Sequence, residues 1–284
     1  MDTENKTGTL YLCATPIGNL EDITLRVLRT LKEVDLIAAE DTRNSLKLLN
    51  HFEIKKPFTS YHEHNKVSKG PKLIEELLSG KDIALITDAG TPGISDPGED
   101  LVKLCYEAGI HVTSLPGAAA CITALTLSGQ NTRRFAFEAF LPSDKKERNA
   151  ILESLKTETR TIIIYEAPHR LRETLKELFN TLSDRDLTVC KELTKLHENA
   201  FKTTLSKAME YYDANEPKGE FVLVIAGVDS KALEEEKRKS WEEMPVAEHV
   251  KLYEDRGFDR KEAMKLAAKD RGVSKRDIYN ELLS

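Results

Sequence analysis

Long apolar runs are missing from this chain of 284 residues, and none is long enough to cross a membrane. Its first six residues also lack the basic and apolar regions that begin a secretory signal. A composition of 40% hydrophobic and 32% charged residues is typical of a globular protein. We therefore expect a cytoplasmic protein with no membrane partner.

Cysteine is scarce and scattered. The four cysteines are Cys13, Cys105, Cys121 and Cys190; each lies in an apolar stretch, and no two have the C-x-x-C spacing. This pattern favours buried, reduced thiols over a disulfide framework or a zinc site. His62-Glu63-His64 offers potential metal ligands, but no third ligand is suitably spaced nearby, so we expect no metal.

An excess of positive charge is also missing. The net charge of −6 argues against a protein that coats nucleic acid non-specifically, although a local basic patch remains compatible with it. Such a patch lies between Arg256 and Arg276, where eight basic residues outnumber three acidic ones. This region could contact phosphates, or it could be a dimer-packing or merely solvated element.

Two common nucleotide-binding motifs are absent. The first strand is not followed by G-x-G-x-x-G, and G-x-x-x-x-G-K-[ST] occurs nowhere in the chain. A Rossmann dinucleotide site or a P-loop site is therefore not expected.

Five short segments rich in Gly, Pro and charged residues each follow an apolar, strand-like run. They are Thr15-Pro16-Ile17-Gly18-Asn19, Asp88-Ala89-Gly90-Thr91-Pro92, Leu115-Pro116-Gly117-Ala118, Tyr165-Glu166-Ala167-Pro168-His169-Arg170 and Lys191-Glu192-Leu193-Thr194-Lys195. In open α/β sheets, ligands bind where the strands end. The recurrence predicts a site that several loops build at one sheet edge.

The alternation of strand and helix patterns predicts an α/β fold with two α/β domains and a helical tail. We place an N-terminal domain with a mostly parallel sheet at 9–130, a second α/β domain at 134–229 and a tail at 240–284. Ser274 is a good N-cap within the tail, whose helix, Gly-containing turn and second helix follow the helix-turn-helix pattern.

Two local predictions concern less regular stretches. A helix is expected over Lys72–Leu78, closed by Gly80. Further along, a strand at Leu187–Glu192 is expected to lead to a helix at Ser206–Tyr212, with no element between them.

Several strand ends also present side chains that could act chemically. Glu40, Asp41 and Arg43 follow a buried strand, where they could serve a site or simply form a solvated helix cap with an ion pair. Glu166 ends another strand, and His169 and Arg170 could contact a ligand or begin the next helix. Dense Gly, Pro and Asp after Thr87 stiffen that loop, which favours ligand contact there.

Taken in order, these motifs resemble the tetrapyrrole-methylase superfamily, and more closely its ribosomal RNA branch of small-subunit methyltransferases. The resemblance runs from about Thr9 to Gly227 and rests on the five segments above together with Ala39-Glu40-Asp41-Thr42-Arg43. Two departures are visible: Cys13-Ala14 stands where the branch often has Val-Pro, and Lys191 where it often has Arg. The second keeps the charge but loses the bidentate fork.

The resemblance implies a homodimer, and S-adenosylmethionine bound in a cleft between the two α/β domains. It also implies methylation of a cytidine ribose 2′-hydroxyl in small-subunit ribosomal RNA, with the assembled subunit as the expected partner. The cofactor contacts carried over are Asp88, Ala89, Gly90, Gly117, Ala118, Tyr165, Glu166 and Leu193. Substrate contacts are assigned to Pro16, Gly18, Asn19, His169, Arg170 and Lys195.

A ribose hydroxyl is a poor nucleophile, so we expect a base and a cation near it. Glu40 or Glu166 could accept the proton, and Arg43, Arg170 or Lys191 could steady the developing alkoxide or hold a phosphate. The catalytic candidates are Glu40, Asp41, Arg43, Glu166 and Lys191.

Two other classes of function are compatible with parts of the sequence. A methyltransferase for a small molecule such as a tetrapyrrole would share the fold and the cofactor, but it would not need the basic tail. A DNA-binding regulator that reads a groove with the tail would leave the five loop motifs without a purpose, so no DNA partner is expected.

Overall fold

The structure is a computed structural model that describes residues 7–283, with the side chains of Ala232, Glu236, Lys237 and Glu242 left out. Ser284, the last residue of the predicted tail, lies outside the described residues. The chain forms two compact units. One consists of the residues up to 153 together with 161–226, and the other of 154–160 together with 227–283.

The first sheet has five strands. They are β1 (Thr9–Cys13), β2 (Leu36–Ala39), β3 (Phe58–Ser60), β4 (Ile83–Ile86) and β5 (His111–Leu115), in the order β3-β2-β4-β1-β5. Every neighbouring pair is parallel. All five carboxyl ends therefore meet at one edge, and the turns that follow them share that edge.

Helices follow these strands and cover both faces of the sheet. They are α1 (Leu25–Glu33), α2 (Thr42–His51), α3 (Lys66–Leu78) and α4 (Gly98–Glu107). Alternate residues of β1 point to opposite faces, so Leu10 and Leu12 join one buried cluster and Cys13 joins another. Both faces are thus closed to solvent, which leaves the carboxyl edge open for a ligand.

The second sheet is mixed. Its strands are β6 (Phe135–Phe140), β7 (Thr161–Glu166), β8 (Asp186–Lys191), β9 (Asn199–Thr204) and β10 (Phe221–Ile225), in the order β6-β7-β10-β8-β9. β6 is parallel to β7, but β10 runs antiparallel to both β7 and β8. The beginning of β10 therefore lies beside the ends of β7 and β8, with Phe221 paired to Glu166 and to Lys191.

Four helices accompany this sheet. They are α5 (Ala120–Ser128), α6 (Lys145–Leu155), α7 (Leu171–Leu182) and α8 (Leu205–Ala214). Although α5 follows the last strand of the first sheet, its Cys121 and Leu125 pack in the same cluster as Ile163 and Val222 of the second. The mixed α/β fold with two sheets confirms the predicted fold class, while the domain bounds given above stay predictions.

Two expected elements were wrong in detail. Helix α3 begins at Lys66 rather than Lys72 and continues through Pro71, although a proline at that position cannot donate the helical backbone hydrogen bond. The segment before α8, for which no element was predicted, contains β9, which pairs antiparallel with β8. None of its residues is buried, so the apolar alternation that indicates a strand is weak.

The tail is a small bundle of helices. They are α9 (Ser230–Glu243), α10 (Val246–Glu254), α11 (Arg260–Arg271) and α12 (Lys275–Glu281). Val250, Ala267 and Ile278 belong to its buried core. Ser274 caps α12 as predicted and forms a reciprocal capping box with Asp277.

A buried histidine organises polar contacts inside this bundle. His249 is fully buried, and its ring stacks on the Trp241 ring with centroids 4.1 Å apart. Arg271 Nε donates to His249 Nδ1 over 3.2 Å, so the other ring nitrogen bears the hydrogen and faces Asp270 Oδ2 at 3.3 Å. Tyr253 also donates its hydroxyl to Asp270. Burial lowers the pKa of His249, and Arg271 adds to that effect.

Within the described residues 7–283, no helix is both long and apolar enough to reach across a lipid bilayer.

Candidate functional site

A backbone bridge joins two of the predicted loops at the edge of the first sheet. Thr15 N donates to Gly90 O over 2.9 Å, and Gly90 N donates to Thr15 O over 3.0 Å. The turn after β1 is thereby tied to the turn after β4. One cavity is lined by Ile17, Ala89 and Gly90, and a second by Pro16, Gly18 and Asp88.

The first cavity has a volume of about 470 Å³, within the usual range of small-molecule sites. Five of the predicted cofactor residues line it: Ala89, Gly90, Tyr165, Glu166 and Leu193. They come from the turn after β4, the end of β7 and the loop after β8. The loops that sequence motifs predicted to share one site are therefore brought together by both sheets.

The other three predicted cofactor residues do not line the cavity, but their contacts hold the loops around it. Gly117 allows close approach, because a Cβ there would lie 2.5 Å from the Cβ of Ala14. Ala118 accepts a hydrogen bond from Thr91 Oγ1 over 2.9 Å, which joins two rim loops. Asp88 Oδ1 accepts from Asp41 N over 3.1 Å, and so holds the turn after β4 to the start of α2.

Aromatic rings form part of the cavity wall. The Tyr165 ring meets Phe137 and Phe140 edge to face, at centroid distances of 4.9 and 5.6 Å. Its hydroxyl accepts from Cys121 N over 2.9 Å, which satisfies a backbone donor at the start of α5. Burial raises the pKa of Tyr165, so this phenol stays neutral in the cavity wall.

Glu166 is held by several partners. Its side chain is fully buried; Oε1 accepts from Ala167 N over 2.7 Å, and Oε2 accepts from Thr174 Oγ1 over 2.5 Å. Arg170 Nε lies 3.7 Å from Oε1, while Arg170 Nη2 donates to Leu141 O over 2.8 Å. Glu166 and Arg170 thus fix the turn after β7, whereas His169 between them is exposed.

The loop after β4 owes its shape to Asp96. Its carboxylate accepts hydrogen bonds from the backbone N–H groups of Gly93, Ile94 and Gly98, at distances between 2.8 and 3.1 Å. Gly93 has a φ of +84°, which favours glycine at that turn. The stiffness predicted from Gly, Pro and Asp therefore has a structural cause, and Thr91 and Ile94 of this loop line the cavity.

Glu40, Asp41 and Arg43 follow β2 but play different parts. Asp41 is the N-cap of α2: it accepts from Arg43 N over 2.8 Å and forms an ion pair of 3.0 Å with the Arg43 guanidinium. That pairing lowers the pKa of Asp41. Partial burial raises the pKa of Glu40, and the nearby Asp88 raises it further.

The turn containing Gly18 packs directly against the loop after β8. A Cβ on Gly18 would lie 2.4 Å from Lys195 Cγ and 2.7 Å from Thr194 Oγ1. Lys195 Nζ in turn binds Glu192 Oε1 and Glu220 Oε2, each over 2.9 Å. Lys195 thus links Glu192 to Glu220 beside the cavity wall.

Two further predicted residues lie at loop and strand ends. Asn19 caps the short 3₁₀ turn Leu20–Asp22 by accepting from Glu21 N over 3.0 Å. Lys191 is half-buried at the end of β8, where it pairs with Phe221 of β10.

Sequence reasoning missed part of the lining. The lining residues outside the predicted segments are Ile94, Ala119, Ala120, Phe140, Glu220, Phe221 and Val222, whereas Ile17, Thr91, Ala167 and Pro168 lie within those segments but were not singled out. Glu220 precedes β10, and Phe221 and Val222 begin it. The expectation of strand ends at the site could not find these three because β10 is antiparallel to its neighbours. Phe140 follows a register shift in β6 between Phe137 and Ala139, which changes where the next side chains point.

The second cavity, of about 360 Å³, lies along α2. Its lining includes Pro16 and Gly18, two of the predicted substrate residues, together with Asp88. Among the residues that the structure describes, no cluster of three or more His, Cys, Asp or Glu side chains is arranged to hold a metal ion.

Comparison with known proteins identifies the family and the relatives that this chain resembles. A family model of tetrapyrrole (corrin/porphyrin) methylases matches residues 9–209. A ribosomal RNA small subunit methyltransferase I from Halalkalibacterium halodurans is 50% identical over 273 residues, which cover 96% of this chain and 94% of that protein. A protein of the same name from Thermotoga maritima is 44% identical over 220 residues, which cover 78% of this chain and 99% of that one.

A solved structure of uroporphyrin III C-methyltransferase from Thermus thermophilus superposes with a TM-score of 0.57 and 18% identity, covering 77% of this chain and 97% of that one. The α/β architecture with its two sheets thus has the fold of the tetrapyrrole methyltransferases. The chain belongs to the tetrapyrrole methylase family and, within it, to the group named ribosomal RNA small subunit methyltransferase I.

Proposed function

We propose that this protein transfers a methyl group from S-adenosylmethionine to the ribose 2′-hydroxyl of a cytidine in small-subunit ribosomal RNA. The supporting observation is that the loops carrying the motifs of the RNA-modifying relatives converge on one cavity of about 470 Å³. As in those relatives' name, the substrate class is the RNA of the small ribosomal subunit.

The first cavity suits S-adenosylmethionine chemically. Its apolar and aromatic lining, which includes Ile17, Leu193 and Phe140, suits the adenine ring. Glu220 is mostly exposed at the lining and can accept hydrogen bonds from hydroxyl or ammonium groups. When bound, the cofactor supplies an electrophilic methyl group on a sulfonium centre.

The reaction is a displacement in which the ribose oxygen forms a bond to the methyl carbon as the carbon–sulfur bond breaks. The hydroxyl proton must go to a base. We assign this role to Glu40, which follows β2 at the carboxyl edge of the first sheet beside Asp88 of the second cavity's lining; partial burial raises its pKa, which favours proton acceptance. Lys191 and Arg43 are the proposed cations for the developing alkoxide or a neighbouring phosphate, and Asp41 is assigned to holding Arg43.

In the same proposal, the protein acts in the cytoplasm as a homodimer on the assembled small subunit. RNA is recognised through its shape and through exposed single-stranded bases, which an assembled particle presents in a fixed arrangement. Pro16, Gly18, Asn19, His169, Arg170 and Lys195 remain the proposed substrate side of the cleft.

The test is incubation of the purified protein with S-adenosylmethionine labelled with tritium in its methyl group and small subunits from cells lacking this gene. The RNA is then digested to nucleosides and separated. We expect label in 2′-O-methylcytidine. Label in a methylated base, or no label while calorimetry shows cofactor binding, would overturn the proposed substrate; absence of cofactor binding would overturn the proposed reaction.

A further inference from the structure

We infer that the second cavity is a binding site for one nucleotide of the RNA substrate, built mainly by α2. This inference rests on the proposed function and adds residues that the sequence motifs did not indicate. The cavity holds about 360 Å³, enough for a nucleobase and part of its sugar. Its polar lining includes Asn44, Ser45, Lys47 and His51.

Helical spacing explains how these side chains come together. Asn44, Lys47 and His51 are three and four residues apart, so they lie along one side of α2. Ser45 and Leu48 line the cavity from the same helix. Opposite them stand Thr15, Pro16 and Asp88 from the two bridged turns, so the cavity has a rigid wall on its sheet side.

Ser45 gives independent evidence that the cavity takes a ligand. The residue is only 4% exposed, and its hydroxyl oxygen has no hydrogen-bond partner among the described residues. A buried hydroxyl without a partner is costly, and a helical serine can usually satisfy it on the carbonyl four residues earlier. A polar ligand group in the cavity would satisfy it.

The distribution of polar groups matches a nucleotide. Asn44 Nδ2 lies 3.4 Å from Asp88 Oδ2, which directs the amide nitrogen to the sheet side and leaves the amide oxygen as an acceptor. An amide acceptor and a hydroxyl can pair with the edge of a base. Lys47 and His51 are exposed in the C-terminal half of α2, where the lysine cation and an imidazole nitrogen can contact a phosphate.

The position of the cavity fits the proposed reaction. The two bridged segments contribute to both cavities: Pro16, Gly18 and Asp88 line the second, and Ile17, Ala89 and Gly90 line the first. A nucleotide seated there would hold the RNA strand beside the methyl donor. Such fixed orientation of two reactants is a large part of what an enzyme contributes to a transfer reaction.

The chain offers matched controls for a test. Asn50 and Lys55 are exposed and do not line the cavity, so N50A and K55Q repeat the chemical changes of N44A and K47Q away from it. In the full-length protein we expect N44A and K47Q to raise KM for small subunits at least about tenfold, with the dissociation constant for S-adenosylmethionine unchanged. The two controls should match the wild type.

A direct binding measurement separates this inference from the proposed function. Cytidine 5′-monophosphate is the probe, observed by saturation-transfer NMR with S-adenosylhomocysteine filling the first cavity. We expect binding that S45A, N44A and K47Q weaken and that N50A and K55Q preserve. S45A should also leave the melting temperature unchanged or higher, since it removes an unsatisfied buried hydroxyl.

The outcomes are distinct. If the wild type fails to methylate small-subunit RNA but the probe still binds and responds to the three variants, the proposed function is wrong and the nucleotide site stands. If N44A, S45A and K47Q bind the probe as the controls do, or if the probe does not bind the wild type, the inference is overturned even when methylation is confirmed.

Discussion

Two glutamates stand at the ends of buried strands, Glu40 after β2 and Glu166 at the end of β7, yet their surroundings give them different roles. Glu166 receives two hydrogen bonds and lies near Arg170, so its carboxylate is committed to the local structure. Glu40 has acidic neighbours, and both its partial burial and Asp88 favour the protonated form. The surroundings of the two side chains therefore distinguish Glu40, a candidate base, from Glu166, a buried acid with a structural role.

The first prediction concerns Glu40. E40Q should lower kcat by about 10²–10⁴-fold while the affinity for S-adenosylmethionine stays unchanged, because only proton acceptance is removed. Wild-type activity should fall as the pH decreases through the raised pKa of Glu40, where the base becomes protonated. Methylation rates measured across pH with saturating substrates check this; an acid limb that persists in a residually active E40Q would contradict the assignment.

The second prediction is the converse for Glu166. E166Q replaces one acceptor by an amide group and removes the charge opposite Arg170, so we expect a loss of about 1–3 kcal/mol in the free energy of unfolding. Denaturant unfolding measures it, with E107Q at the exposed end of α4 as the control. Unchanged stability with abolished methylation would instead make Glu166 a reacting group.

A motif at the end of a parallel strand was enough to locate residues at the cavity. Ala89 and Gly90 follow β4 and line the first cavity, while their contact with a cofactor stays a prediction. Glu220 could not be found in this way, because the reversed direction of β10 becomes visible only once the strands pair. Ser45 carries no motif, and its buried, unpartnered hydroxyl is a property of packing alone.

At the scale of elements, the tail bundle contains its own titratable centre. His249 accepts from Arg271 at one ring nitrogen, so protonation of that nitrogen removes the hydrogen bond and places two positive charges together. The pKa of His249 is lower in the folded state than its ordinary value of 6.5. The unfolded state therefore binds the proton more readily.

The third prediction follows from the direction of the pKa shift of His249. The stability contributed by neutral His249 is fully present above pH 6.5 and should decrease as the pH falls from there towards the lowered folded-state pKa. Trp241 is the single tryptophan of the chain and stacks on His249, so its fluorescence reports the bundle. H249N should remove this pH dependence; an identical acid transition in H249N would show that another group controls it.

Elements with regular burial were predictable, and those without it were not. The strand predicted at Leu187–Glu192 and the helix predicted at Ser206–Tyr212 are present as β8 and α8, with bounds that differ from the prediction by at most two residues. β9 has an edge position and no buried residue, so its hydrogen bonds to β8 define it rather than its sequence. The register shift in β6 likewise depends on pairing with β7.

For the molecule as a whole, the tail helices belong to a compact unit distinct from the one that contains both sheets. The 220 residues aligned with the relative from Thermotoga maritima cover 99% of that protein and 78% of this chain, so about a fifth of this chain has no counterpart there. The five loop motifs lie in the same unit as the two sheets. We therefore expect the tail to adjust substrate binding while the α/β domains perform the chemistry.

The fourth prediction tests that division. Lys261, Lys265 and Lys269 are exposed and four residues apart along one side of α11. K261Q/K265Q/K269Q should raise KM for small subunits and reduce the dependence of log affinity on log salt by about 2, with kcat unchanged. The exposed lysines Lys72, Lys103 and Lys176 provide an equal charge change as a control. Equal salt dependence in both triple variants would show that these tail lysines do not contact the RNA.

The bridge between Thr15 and Gly90 has a consequence for how two ligands would communicate. Each cavity uses one side of the same two peptide segments, so a displacement of either segment alters both cavities at once. Any such effect must be reciprocal: if an occupant of one cavity strengthens binding in the other, it is strengthened by the same factor in return. Cooperative binding in the two cavities would need no long pathway, since the wall that they share consists of two bridged backbone segments.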